Sequence, residues 1–474
     1  MMNQIQLEVH AQVEDERRKR IQHAWQAYHG DSPKPLRPTK SDPRAEDNVR
    51  LNFGRLVVDK GVSFLFGSEL CFEVDPSDNA EAEEGKESKA DLWLEKCWAA
   101  NRKMTTLHRL GINGGVTGDV FLKLKAADPL RGKPFPRVVV LDPQNVQVRV
   151  RADDWEEVDS YLIQWHGVDP GSNPPVAVAY RQTIQRDGNA WVITDEESRG
   201  NVAAWKQTAE ERWPYPWSPV LHCQNLPSPN EYYGLSDLEP AVLEANGAIN
   251  FVVSNLNRII RIHAHPKTWG RGFAATEMKI GVDEMIVLPS EEGELQNLEM
   301  LSDLSSSLAH LAQLKDAYHE ITRIPAVATG KVENLGQLSG LALRILYGPL
   351  VELTETKRLV YGEMLQELCN RLLELGGFGG EHEIKLQWSS VTPTDQQADA
   401  TTATLWDQLG VSKDTILTKL GFDPEVEEQK RSEEAAEAGN VGNVLLQQFD
   451  KGQAVPGNPA PEKLPVAPMA GSKQ

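Results

Sequence analysis

The sequence predicts an α+β protein, an antiparallel β lobe followed by long helices. Three observations carry that prediction. Alternating runs between residues 118 and 194 are punctuated by turn residues, with Asp187-Gly188 set between two of them as a hairpin signal. Downstream, apolar residues recur at alternating spacings of four and three over Leu235–His263, with similar helical periodicity over 302–324 and 338–375. At 474 residues, 40% hydrophobic and 25% charged, the chain is a folded type too long for a single core.

From the N-terminus, the polar stretch to about residue 29 reads as a surface helix, ended by Gly30 and the prolines of "YHGDSPKPLRP". Leu51, Leu56, Val57, Phe64 and Leu65 recur on one face of a second helix, which Gly67 closes before a strand at Leu70–Val74. Residues 75–90 are acidic and almost free of apolar side chains, a solvated loop. A helix over Asp91–Gly111 leads into the strands "GDVFLKLKAAD", "PRVVVLDPQNVQVRV", "SYLIQWHGV" and "VAVAYRQTIQRDGNAWVIT". The Trp- and Pro-rich "RWPYPWSPVLHCQNLPSPNEYYG" closes this lobe as extended, turn-rich chain.

The following helix takes Ser236 as N-cap and tolerates Pro240 in its first turn. Leu238, Val242, Ala245, Ile249, Val252, Leu256 and Ile259 form its seam, opposite Asn246, Asn250, Asn255, Asn257, Arg258 and Arg261. At 1.5 Å rise per residue it is about 40 Å long. A β-rich insert follows. Then comes a helix over Ser302–Ile324 with Leu304, Leu308, Leu311, Leu314, Tyr318 and Ile321 on one side, stopped by Pro325. A third helix over 338–375 contains Gly348-Pro349, which should kink it, and ends at Gly376-Gly377. A strand ("HEIKLQWSSV"), a small helical module and a Gly/Pro/Gln-rich tail complete the chain; the tail reads as disordered.

Composition excludes several functions. Forty-nine basic against 69 acidic residues leave a net charge of −20, unsuited to tight sequence readout of DNA. No apolar run is long enough to span a bilayer, and the N-terminus lacks the apolar segment of a secretory signal, so a cytoplasmic protein is expected. The four cysteines form no CxxC and read as reduced, buried thiols.

No catalytic or metal-binding set is present, and no cofactor is expected. "ATGKVENLG" superficially resembles a phosphate loop. However, Pro325 stands where its first glycine belongs and Val332 where the Mg²⁺-binding hydroxyl belongs. What remains is a glycine-flanked mobile loop. His263 and His265 have no ligand partner at suitable spacing, and Asp153-Asp154 and Glu291-Glu292 read as solvated turn charges. The Leu238–Ile259 seam is compatible with an ordinary bundle core. The order of parts favours another reading: two long helices flanking a β insert suit an oligomer that stacks such pairs around an axis.

The ordered set of segments resembles the portal proteins of tailed bacteriophages, closest to those with long non-contractile tails. "AWQAYHGD", "NFGRLVVDKGVSFLFGSELCFEV", "WSPVLHCQN", "GLSDLEPAVLEANGAINFVVSNLNRI" and "TDQQADATTATLWDQLGVSKDTILTKLGF" carry the likeness, which spans about residues 15–435. It implies the portal fold: wing 1–233, first stem helix 234–263, clip 264–301, second stem helix 302–324 and tunnel loop 325–339. A long kinked helix with the wing's return strand (340–392), a crown (393–437) and the tail (438–474) follow.

The resemblance implies a non-enzymatic homo-oligomer, typically a dodecamer, at one capsid vertex of the virion, assembled in the host cytoplasm. Its implied partners are the terminase large subunit, head-completion or adaptor proteins, scaffold and major capsid protein, and double-stranded DNA passing without sequence-specific binding. No membrane is involved. Val332, Asn334, Leu335 and Gln337 would face the channel, with Lys331 and Glu333 at its edge. Gly330, Gly336, Gly340, Gly348 and Pro349 would act as hinges, and Leu238, Val242, Ile249 and Leu256 as the stem seam. The alternatives are a phage-encoded Mg²⁺-dependent nuclease or NTPase using the β lobe, or a small head-assembly adaptor.

Overall fold

The computed structural model describes residues 4–37, 46–74, 88–264, 268–271, 294–297, 304–330, 340–389 and 396–432, apart from 152, 170, 201–203, 381, 421–423, 425, 426 and 429. It mixes helices and strands, as an α+β chain should. Two units separate, residues 1–392 and 393–474.

In the first unit, α1 (Gln4–His29) is helical as expected, yet it is no simple surface helix. Glu14, Arg17, Ile21, Ala24, Ala27 and Tyr28 are buried along one face. Helix α2 (Phe53–Phe66) takes its N-cap from Asn52, whose side chain accepts from the Arg55 amide, and ends at Gly67. Strand β1 (Cys71–Val74) follows, pairing with the distant β12 (Ile384–Gln387).

The expected loop over 75–90 is shorter at its end than the sequence suggests. Ser88 caps α3 (Lys89–Ala100), and Ala90 is already buried; residues 75–87 lie outside the described residues. The single helix expected over 91–111 is two, α3 and α4 (Lys103–Thr117), broken by Arg102 in the left-handed region (φ 53°). No Gly or Pro marks that break. Instead Asn101 holds the corner: its side chain donates to Pro136 O and accepts from Val138 N, both at 2.9 Å.

The β lobe is two sheets rather than one. Strands β2 (Asp119–Lys125), β3 (Arg137–Leu141) and β9 (Val220–Gln224) form a three-stranded sheet ordered β3-β2-β9. A meander of β4 (Val146–Val150), β5 (Val158–Asp169), β6 (Val176–Asp187), β7 (Ala190–Arg199) and β8 (Lys206–Trp213) forms the other. The β6–β7 turn is the expected hairpin, with Gly188 at φ +60°. Strand β8 escaped the sequence because it is an edge with seven exposed residues, "KQTAEER", lacking any apolar alternation.

Helix α5 (Pro240–Ala264) starts at the proline, so Ser236 is not its N-cap. It packs with α6 (Ser305–Thr322), and Arg323 in the left-handed region ends α6 just before Pro325. Between them lies the hairpin of β10 (Thr268–Arg271) and β11 (Glu294–Asn297). Helix α7 (Gly340–Leu375) stays helical across Gly348 and Pro349. It ends as expected: Phe378 N bonds Leu373 O and Gly377 N bonds Glu374 O, both 3.0 Å, with Gly377 at φ +86°.

Two apolar clusters hold this unit. One lies among α3, α4, α7 and the two sheets, around Trp98, Phe66, Phe121 and Tyr361. The other joins α1, α2, α5 and α6 around Val58, Ile249 and Tyr318. Cys97, Cys223 and Cys369 are buried free thiols; Cys71, against expectation, is exposed. The second unit shows α8 (Gln396–Gln408) and α9 (Lys413–Leu420), which pack on each other around Ile416. Among the described residues, no helix is long and apolar enough to cross a membrane.

Candidate assembly site

The paired helices α5 and α6 have two unlike faces. Toward the body, Leu238, Val242, Ile249 and Leu256 are 7% exposed or less, the first three packed with α2 and Tyr318. Beside that seam runs a polar ladder. Asn250 accepts from Leu51 N (2.8 Å) and donates to Leu51 O (3.3 Å); Ser254 accepts from Val49 N (2.9 Å) and donates to Val49 O (3.3 Å). Asn257 donates to Asp47 O, while Arg258 and Arg261 reach the buried Asp47 carboxylate. The extended segment 47–51 is thus paired along α5 as a strand pairs with a strand, satisfying backbone groups that would otherwise be stranded.

Other apolar side chains of the pair reach solvent. Phe251, Ile260, Leu308 and Ile321 stand about half exposed, at 48–56%. On α7, Ile345 and Leu359 rise to 69% and 72%. The leucine stripe of α6 therefore divides, with Tyr318 turned inward and Leu308 and Ile321 turned out. Exposed apolar side chains of this size are candidates for burial against another molecule.

At the root of α5 sits a buried polar junction. Ser236 Oγ lies 2.9 Å from Gly115 O and 2.7 Å from Val116 O and accepts from Leu238 N. Asp237 accepts from Lys357 Nζ (2.6 Å) on α7 and from Asn225 Nδ2 (3.0 Å). Asn225 Oδ1 takes the Tyr361 hydroxyl (3.1 Å), whose ionisation burial pushes well above its ordinary value. Next to it, Asp119 meets His222 Nε2 (2.9 Å) and Gly234 N (3.0 Å), and Arg17 lies within ion-pair range.

This cluster has the ingredients of a Cys-His-Asp set but not the chemistry. His222 is sandwiched between Phe121 and Tyr232, centroids 4.5 and 4.3 Å away, and burial raises the pKa of the fully enclosed Cys223 thiol, the reverse of an activated nucleophile. Among the described residues no His/Cys/Asp/Glu group has a metal-holding arrangement.

Residues 251–441 match the family model "Phage portal protein, SPP1 Gp6-like". That segment is similar to the phage portal proteins. No curated protein matches the chain. Among solved structures, a chain of the "Neck of empty GTA particle computed with C6 symmetry" is 16% identical, with a TM-score of 0.44, over 78% of this chain and 90% of that one. A likeness of that size carries no argument.

That family description names a structural protein rather than an enzyme, against the nuclease and NTPase alternatives. The matched range runs from within α5 to beyond α9, so it takes in the second half of α5 and all of α6 and α7. Of the loop residues singled out from the sequence, Gly330 has φ +84° after a 3₁₀ turn at Ala326–Thr329. Lys331, Val332, Glu333, Asn334, Leu335, Gly336 and Gln337 lie outside the described residues, as do His265 and Glu291-Glu292. Gly340 opens α7, and Gly348 and Pro349 lie within it. Sequence reasoning missed Ser254, Asp237 and Lys357. The first was legible in principle: Asn246, Asn250, Ser254 and Arg258 repeat every four residues on one helical face.

Proposed function

We propose that copies of this portal protein close into a ring, typically of twelve, at one capsid vertex, and that the ring is a conduit for double-stranded DNA during packaging and ejection. The family match over 251–441 carries this reading. The exposed apolar residues of α5, α6 and α7 support it, being a surface that a neighbouring copy would cover. In this reading 234–263 and 302–324 are stem helices, and the β10–β11 hairpin belongs to a clip (264–301) that meets the terminase large subunit and later the head-completion proteins. Residues 1–233 with 340–392 form the wing, which would face scaffold and major capsid protein, and 393–437 the crown.

The loop 325–339 would project toward the duplex through Val332, Asn334, Leu335 and Gln337, flanked by Lys331 and Glu333. Gly330, Gly336 and Gly340 would let it shift, with Gly348-Pro349 as its lever. A ring of subunits each carrying −20 would keep the passing duplex from sticking. Native mass spectrometry and negative-stain imaging test the ring: the expected result is a closed oligomer with a central opening. A stable monomer at micromolar concentration, or compact particles lacking a hole, refutes it. Deleting Lys331–Gln337 should leave the ring intact and impair packaging; normal packaging by that variant refutes the loop's placement.

A further inference from the structure

One cavity lies apart from the assembly surface, at the corner where α3 turns into α4 beside the start of β3. It holds about 370 Å³ and is lined by three arginines, Arg102, Arg109 and Arg137, with Asn101, Thr105 and Thr106. No carboxylate lines it. In a chain with 20 more acidic than basic residues, three guanidinium groups around one space is an unexpected grouping, and like charges repel unless something neutralises them. None of the three forms an ion pair with any described residue. Arg17, Arg151, Arg181 and Arg199, by contrast, are all paired.

The corner is also built rather than loose. Arg102 holds φ 53°, a left-handed conformation uncommon for a residue other than glycine. Asn101 clamps the backbone on both sides of Arg137 through Pro136 O and Val138 N, and Thr106 Oγ1 donates to Asn101 O at 2.7 Å. The backbones that carry Arg102 and Arg137 are therefore fixed next to each other by a single side chain.

We propose that this cavity is an anion site for phosphate oxygens, with the planar forks of Arg102, Arg109 and Arg137 as donors and the exposed Thr105 hydroxyl beside them. Inorganic polyphosphate and the phosphodiesters of a nucleic acid share this chemistry. The proposal stands independently of ring formation, since every residue it uses lies within one short stretch of a single copy's fold.

The test uses the full chain, the double variant Arg109→Gln/Arg137→Gln, and Arg149→Gln as an exposed control on β4. Pyrophosphate binding is read by calorimetry, and a fluorescent 20-base-pair duplex by anisotropy at several salt concentrations. Wild type and the Arg149 control should bind alike. The double variant should lose about tenfold per arginine, and its salt slope on duplex should be shallower by about 2. Binding of both probes assigns the site to nucleic-acid backbone; binding of pyrophosphate alone assigns it to small phosphates. Equal binding of both probes by wild type and double variant overturns the proposal, as does equal competition by a poly-glutamate peptide. Should the double variant fail to fold, Thr105→Glu, an exposed change that puts a carboxylate at the cavity, must give the same loss.

Discussion

The ion pair between Lys357 and Asp237 joins the middle of α7 to the root of α5, and its removal is the sharpest test of how this protein is held together. The two side chains are 3% and 5% exposed, with Nζ and Oδ2 2.6 Å apart. At an effective dielectric of 20, Coulomb's law gives an attraction of about 6 kcal/mol at that separation. Most of it offsets the desolvation of both ions, so the pair itself adds little net stability. Breaking it is another matter. Lys357→Met leaves a buried carboxylate with Asn225 Nδ2 as its remaining side-chain donor, at an expected loss of about 3–5 kcal/mol.

Adding Asp237→Asn removes the stranded charge while keeping an oxygen for Asn225 to donate to. The double variant should therefore recover about 2 kcal/mol or more relative to Lys357→Met alone, a signature that simple loss of packing would not produce. Urea unfolding followed by tryptophan fluorescence reads both values. A Lys357→Met loss below about 1 kcal/mol, or no recovery in the double variant, refutes the assignment of this pair as the tie between α7 and α5.

Three further outcomes follow from single contacts. Burial, with Lys125 adding to it, lowers the Lys123 pKa from 10.5 to about 8 despite the opposing pull of Asp195 and Glu211. Between those values the unfolded chain binds more protons than the native one, so this lysine makes stability rise with pH from about 8 to 10.5. Lys123→Met should abolish that rise in melting temperature measured against wild type, and an unchanged pH profile contradicts it. Asn250→Ala should cost about 1–3 kcal/mol and, by hydrogen exchange, deprotect the Leu51 amide it accepts from; retained protection contradicts the ladder. A methyl at Gly114 would collide with the Tyr361 hydroxyl, so Gly114→Ala should destabilise by about 1–3 kcal/mol, and Tyr361→Phe in the same chain should restore part of the loss, as thermal melting would show.

What the sequence made legible and what it hid divide along one physical line. Features set by a residue's own backbone preference were readable: the Asp187-Gly188 hairpin, the stop at Gly67 and the Gly376-Gly377 cap. So was the heptad seam, because burial follows periodicity when a helix has one wet face and one dry one. Features set by a partner far away in the chain were not. Arg102 breaks a helical pattern without Gly or Pro, at a corner where Asn101 grips the distant residues 136 and 138.

The same holds at the assembly site, with a consequence for how the polar face of α5 is understood. Asn250, Ser254 and Arg258 look like solvent-facing residues in a sequence. Instead their face is occupied by residues 47–51 of the same chain, with Asn250 and Ser254 6% exposed or less. These groups hydrogen-bond a backbone and are unavailable to a duplex. A polar residue on a long helix is evidence of water only when no extended segment with unpaired amides lies within reach, and the stretch before α2 is such a segment. The apolar side chains of α5 and α6 left exposed are Phe251, Ile260, Leu308 and Ile321; on the proposed ring reading, Leu308→Lys/Ile321→Lys should weaken assembly, read by native mass spectrometry, while leaving the fold of each copy unchanged.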